Sequence, residues 1–155
     1  MLEAYINSKE LCEYFINVLN ITPNKSLTLD PHVELTPNFI LGYFDGDGCI
    51  RNSSETQVRY ECNITCGSKK FIDRIKEILD SNGIYSIIYK HTDSEAYKIR
   101  IDRKDESRKF YKFLYRDKVT CLSRKLNNFA ALFGNLEDES PSELLEPVGE
   151  SAAKH

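Results

Sequence analysis

The chain has 155 residues, 41% apolar and 29% charged, proportions that suit one soluble globular domain with a real core and not two. No apolar run approaches the roughly 20 residues of a membrane span, and the start MLEAYINSKEL has acidic residues and no apolar stretch, which argues against a secretory leader and for an intracellular protein. The net charge of −3 hides a division, with two Lys/Arg against seven Asp/Glu in residues 1–50, eighteen against eleven in 51–125, and one against six in 126–155.

A positive middle section is what a phosphate backbone requires, because Lys and Arg displace its counterions; it equally describes a mildly basic solvated surface. In chain order, Asn7 to Leu19 reads as an amphipathic helix, with Asn7 as cap, Glu10 at the capping-box position, and Leu11, Phe15 and Leu19 on one face. A turn-rich connector with two prolines follows, ITPNKSLTLDPHVEL. Thr36-Pro37 then starts a second helix, Thr as N-cap and Pro at the first helical position. This helix runs to about Gly46 and is apolar enough to be buried on most sides.

Two strands come next, Cys49 to about Ser53 and Val58 to Cys66. In the second, Val58, Tyr60, Cys62, Ile64 and Cys66 alternate with Arg59, Glu61, Asn63 and Thr65, the period of a half-buried strand. Ser68 caps a further helix with a stripe of Phe71, Ile75, Ile78 and Leu79, which ends at Asn82-Gly83. Tyr85 to Tyr89 and Ala96 to Ile101 form two more strands around a turn at Asp93 and Ser94. One helical stretch is expected from Ser107 to Phe133, and residues 135–155 form an acidic tail without periodicity, expected to be disordered. The five cysteines sit mostly in apolar patterns, as reduced buried thiols would; Cys62 and Cys66 lack a second Cys or His pair for zinc.

This order predicts an α+β domain: a four-stranded antiparallel sheet with helices packed on one face. Its boundaries would be an N-terminal helix and connector over 1–35, the domain proper over 36–134, and the tail over 135–155. The uncovered face would carry Arg59, Asn63, Thr65, Lys98 and Arg100, side chains suited to phosphates and base edges.

The informative string is ILGYFDGDG, Ile40 to Gly48. Gly42 and Gly46 lie four apart, on one helical face, and each costs the helix about 1 kcal/mol relative to alanine. Close approach of another helix is the simplest compensation. Asp47 stands at the helix C-terminus, where the dipole disfavours a carboxylate, and Asp45 adds a second. A divalent cation among carboxylate and carbonyl oxygens would reverse that penalty, and these are hard ligands of the kind Mg²⁺ prefers. DGDG also suits a plain tight turn. An EF-hand loop fits poorly, since Cys49 occupies a ligand position and position 56 is Thr.

The stretch ILGYFDGDGCI resembles the signature of the LAGLIDADG homing endonucleases. Ile40 stands at the motif's first Leu, Gly46 at its Ala, and Gly42, Asp45, Asp47 and Gly48 match by identity. SKELCEYFINVLNITPNKSLTL resembles the connector that precedes the motif, and FYKFLYRDKVTCLSRKLNNF the closing helix, so the likeness runs over about residues 7–130. The resemblance implies a hydrolase that cuts double-stranded DNA, bound by two four-stranded sheets forming a saddle, and often linked to intron or intein mobility. It implies Mg²⁺ or Mn²⁺ held by Asp47 with the Gly46 carbonyl, and a basic residue that assists catalysis, for which Lys98 is the candidate. It also implies paired motif helices meeting through Ile40, Gly42, Tyr43 and Gly46. One motif is present, so a homodimer or a second LAGLIDADG-containing chain is expected. The first thirty residues look like the end of a preceding unit, as in a truncated or split enzyme. The alternative reading is a non-cleaving DNA- or RNA-binding module of the same fold, such as a regulator or intron maturase, or an inactive remnant.

Overall fold

The computed structural model describes residues 7–22, 27–51, 60–90, 92, 94–117 and 121–133. Thr36 caps the second helix, α2 (Pro37–Asp47), its side chain accepting from the Phe39 N–H at 3.2 Å, with Pro37 in the first turn. Ser68 does the same for α3 (Lys69–Ser81), accepting from the Phe71 N–H, and Gly83 closes that helix at φ 67°, a left-handed conformation suited to glycine. Between them lie β1 (Gly48–Arg51) and β2 (Glu61–Cys66); β3 (Ile87–Lys90), β4 (Tyr97–Ile101) and α4 (Lys104–Leu114) follow. The first helix, α1, covers Lys9–Asn17 and the last, α5, Ser123–Phe133.

The strands form one antiparallel sheet in the order β1-β2-β4-β3. Its covered face presents Ile50, Cys62, Ile64, Ile99 and Ile101, all buried. Against them pack Phe44 of α2, Phe71, Ile72, Ile75 and Leu79 of α3, Phe110 and Leu114 of α4, and Phe129 of α5, each with no measurable exposure. Phe44 is the hub: its ring meets Phe110 edge-on at 5.3 Å and Phe129 at 6.1 Å. The opposite face carries Cys49, Arg51, Glu61, Asn63, Thr65, Tyr89, Lys98 and Arg100 in register. The α+β architecture and the four-stranded sheet are as the hydropathy pattern predicts.

Four expectations need correction. The cap of α1 is Ser8, whose hydroxyl accepts from the Leu11 N–H at 3.2 Å, and not Asn7. No residue of α1 is buried: Tyr14, Phe15, Ile16 and Val18 are exposed, so its apolar stripe is not part of this core. The closing helical stretch is two helices, broken by a turn at Tyr115–Asp117; this lets α5 return so that the Phe129 ring packs, tilted, against the Phe44 hub. Finally, Cys62 and Cys66 are buried, but Cys12 and Cys49 are exposed. Arg59 and the 135–155 tail lie outside the described residues.

Candidate functional site

The motif helix α2 has two unlike sides. Pro37, Ile40, Leu41 and Phe44 are buried, while Asn38, Gly42, Gly46 and Asp47 are exposed. A methyl group added at Gly42 or Gly46 would meet nothing within 4 Å among the described residues outside its own helix turn. The helix is therefore open along its glycine face, where its apolar composition predicted burial on most sides. Ile40 faces the other way, with no exposure, so the expected place for it in a helix-to-helix contact is corrected: its side chain fills this chain's own core. Tyr43 is half-buried; its ring packs on Phe71 at 4.9 Å and its hydroxyl donates to the Thr65 carbonyl at 3.1 Å. Burial pushes the Tyr43 phenol's pKa upward, with Cys66 and Asp47 adding to it.

At the end of α2 the chain passes straight into β1 through Gly48. A Cβ there would stand 2.1 Å from the Phe44 ring, so only glycine lets the chain turn so close to the hub. Asp47, the last helical residue, is exposed at this corner. Asp45 is directed elsewhere: its Oδ2 accepts from the Leu122 N–H at 2.8 Å, at the head of α5. Among the described residues no cluster of three or more His, Cys, Asp or Glu side chains surrounds Asp47.

The sheet brings Lys98 toward this corner. Gly48, which follows Asp47, pairs with Ile64, which pairs with Ile99, and one residue further along β2 Thr65, Lys98 and Tyr89 form one row. The Lys98 ammonium lies 5.8 Å from the centre of the Tyr89 ring, and Arg100 lies 5.6 Å from the same ring. Thr65, Lys98 and Arg100 are partly exposed on this open face. Asn63 is corrected: it is 4% exposed between Cys49 and Arg100, and its amide donates to Glu61 at 3.3 Å, so it offers little to a ligand.

Two residues escaped the sequence reading. Arg51 ends β1 on the open face, half-exposed and 3.5 Å from Glu61; the alternation Cys49, Ile50, Arg51 would have placed it there. The other is Lys125 of α5, 2% exposed. Its ammonium donates to the carbonyls of Phe44 and Gly48, the second at 2.7 Å, and lies over the Phe44 ring. Burial lowers its pKa from the ordinary lysine value and Arg124 adds to this, while Asp45 and Asp47 pull against it.

Among the described residues no helix is long and apolar enough to cross a membrane. The profile of the LAGLIDADG-like domain matches residues 34–115, more than half of the chain. A comparison with curated protein sequences finds no match. Among solved structures, the chain is similar to the homing endonuclease I-TnaI, at 20% identity and TM-score 0.46, over 63% of this chain and 69% of that one. It is also similar to an archaeal intron-encoded homing endonuclease complexed with DNA, at 19% identity and TM-score 0.48, over 60% of this chain and 62% of that one. A third is the homing endonuclease I-CvuI in complex with the I-CreI target, at 16% and 0.46, over 62% of each chain. The chain thus spans somewhat under two thirds of two of these relatives. With the motif at the end of α2, the open sheet face and the family profile over both, this chain belongs to the family of LAGLIDADG-like domains.

Proposed function

We propose that the protein is a site-specific endonuclease that hydrolyses phosphodiester bonds of double-stranded DNA with a divalent cation, Mg²⁺ or Mn²⁺. The observation that carries this reading is the exposure of Asp47 at the C-terminus of α2, beside a glycine face that nothing among the described residues covers. A carboxylate at the negative end of a helix is unfavourable until a cation joins it. The donors there are hard oxygens, the Asp47 carboxylate and carbonyls left over where the helix ends. That set suits an ion that keeps several waters and shares phosphate oxygens, and it is too small to form a closed cage alone. When bound, such an ion supplies an activated water and neutralises charge developing on the phosphate.

The chain's own residues do the rest. Asp47 and the Gly46 carbonyl hold the ion. Gly42 and Gly46 let a second motif helix approach, so that a homodimer, or this chain with a second LAGLIDADG chain, sets two acids across the duplex. Tyr43 borders that contact and fixes α2 to β2 through Thr65. Arg51, Thr65, Lys98 and Arg100 meet phosphates and base edges, and Arg59 belongs to the same β2 alternation in the sequence. Lys98, in the row of Thr65 on the open face, is the candidate for the basic residue that assists catalysis. We assign this work to residues 36–134, which hold both the motif and the sheet.

The test is cleavage of a plasmid library by the full chain, in Mg²⁺ and in EDTA, with the oligomeric state measured alongside. Discrete metal-dependent double-strand cuts are expected, lost at least a hundredfold in Asp47→Asn while DNA retardation persists. Retardation of DNA by a dimer that never cuts would replace this reading with the binding module. Equal loss of binding and cutting in Asp47→Asn would remove the metal role.

A further inference from the structure

The open sheet face is not made of cations alone. Ile87 pairs with Arg100 and Tyr89 with Lys98, so β3 lays an apolar column beside the basic column of β4. Ile87 is a large apolar side chain left 38% exposed there. The Tyr89 ring has the Lys98 ammonium 5.8 Å from its centre and the Arg100 guanidinium at 5.6 Å. Arg100 has a carboxylate of its own, Asp102 at 3.2 Å, while Lys98 has none among the described residues. A duplex accounts for the cations through its phosphates, but a phosphate gains nothing from an isoleucine. The β3–β4 half of the face therefore suits a ligand that is both acidic and apolar.

The chain carries a segment of that chemistry. Residues 134–155, which follow α5, hold six Asp/Glu against one Lys, and among them Glu143-Leu144-Leu145-Glu146 sets two leucines between two carboxylates. Phe133, the last residue of α5, fixes where this segment leaves the fold: its ring stacks on Tyr60 at 5.9 Å, and Tyr60 leads directly into β2. The segment thus starts at the rim of the sheet. The row of Asn63, Arg100 and Ile87 crosses β2 three residues beyond Tyr60, about 10 Å along the strand and about 10 Å across two strand spacings. Residues 134–142 span about 30 Å when extended, enough to round the rim. We infer that Glu143–Glu146 docks on the β3–β4 half of the open face, its leucines against Ile87 and Tyr89 and its carboxylates against Lys98 and Arg100, in competition with DNA. A segment joined to its own target acts at high effective concentration, so weak contacts suffice to hold off a duplex that meets the face with phosphates alone. A duplex that makes the full set of contacts displaces it. The inference deepens the endonuclease reading and rests on it, since both ligands share one face.

The experiment compares the full chain with three full-chain variants. Glu143→Gln/Glu146→Gln and Glu137→Gln/Glu139→Gln remove equal charge, the second nearer α5, and Leu144→Ser/Leu145→Ser removes none. Without DNA, the Ile87 methyl and Tyr89 ring NMR signals should move in the first and third variants and stay in the second. A random-sequence duplex at low salt should bind the first variant more tightly than the second by about fivefold or more. Ile87 and Tyr89 signals that ignore both the Glu143/Glu146 and the Leu144/Leu145 changes would overturn the docking and leave the endonuclease reading intact. Equal tightening in the two acid variants would also overturn it, because charge without position would then suffice. Signals that move as expected in a protein that never retards DNA would overturn the competition and the endonuclease reading together.

Discussion

Two glycines of the same motif should respond to alanine with opposite signs. At Gly48 the added Cβ would lie 2.1 and 2.6 Å from two carbons of the Phe44 ring and 2.6 Å from the Phe44 carbonyl oxygen. The backbone there, φ −83° and ψ 162°, suits any residue, so the obstacle is steric and not conformational. Neither neighbour can yield: the ring is wedged between Phe110 and Phe129, and the oxygen is backbone already engaged by Lys125. Overpacking of this kind costs typically 1–3 kcal/mol, and a backbone obstacle puts Gly48→Ala near the top, about 3 kcal/mol. At Gly42 a Cβ meets nothing within 4 Å among the described residues, and alanine inside a helix is favoured over glycine by about 1 kcal/mol. Urea unfolding at low protein concentration, where chains are separate, should therefore show Gly48→Ala destabilised and Gly42→Ala stabilised. Raising the concentration then tests the open face: if a second helix lies on Gly42, that variant should associate at least tenfold more weakly than the parent. Loss of less than about 1 kcal/mol in Gly48→Ala would refute the packing described for the corner. Gly42→Ala dimers as tight as the parent's would refute helix contact through that face.

Other consequences are simpler to read. Arg100→Ala removes a cation from the open sheet face, and the slope of log binding constant against log salt should fall by about 1; an unchanged slope would show that this face does not meet phosphates. Tyr43→Phe leaves the ring on Phe71 and deletes the bond to the Thr65 carbonyl, which should lower unfolding free energy by about 1 kcal/mol in urea; no change would mean water replaces the hydroxyl. Hydrogen bonding from Lys70, seconded by Arg74, holds the Asp30 carboxyl below its ordinary value of 3.8. A depressed folded value means the stabilisation is complete above 3.8 and is lost as pH falls through the folded value. Asp30→Asn should accordingly flatten the acid limb of stability against pH below 3.8, and superimposable limbs would contradict the pairing.

What could be read from the residues in advance was what depends on near neighbours. Thr36 and Ser68 act three residues ahead on Phe39 and Phe71, and the alternation through Glu61–Cys66 needs only the pleat of one strand, so each was legible from its own segment. Asn63 follows the same alternation and was misjudged, because its exposure depends on what lies on the strands either side, Cys49 and Arg100. Ile40 was misjudged for a related reason: a helix with apolar residues all round gives no phase, and only the packed sheet decides which side stays open. Lys125 is the instructive case. Taken as one charge in a helix, it reads as a solvated tip, and its partners Phe44 and Gly48 lie some eighty positions earlier. Yet it stands four residues before Phe129, on the stripe that α5 buries, where an ordinary amphipathic helix would place another apolar side chain. A cation in the middle of an apolar stripe must find buried oxygens or leave the stripe. The motif ending at Asp47 supplies such oxygens, because every helix that stops leaves carbonyls behind. The lysine where apolar packing belongs and the carbonyls at the end of α2 meet only once the chain is folded, some eighty positions apart, so neither segment by itself discloses the other.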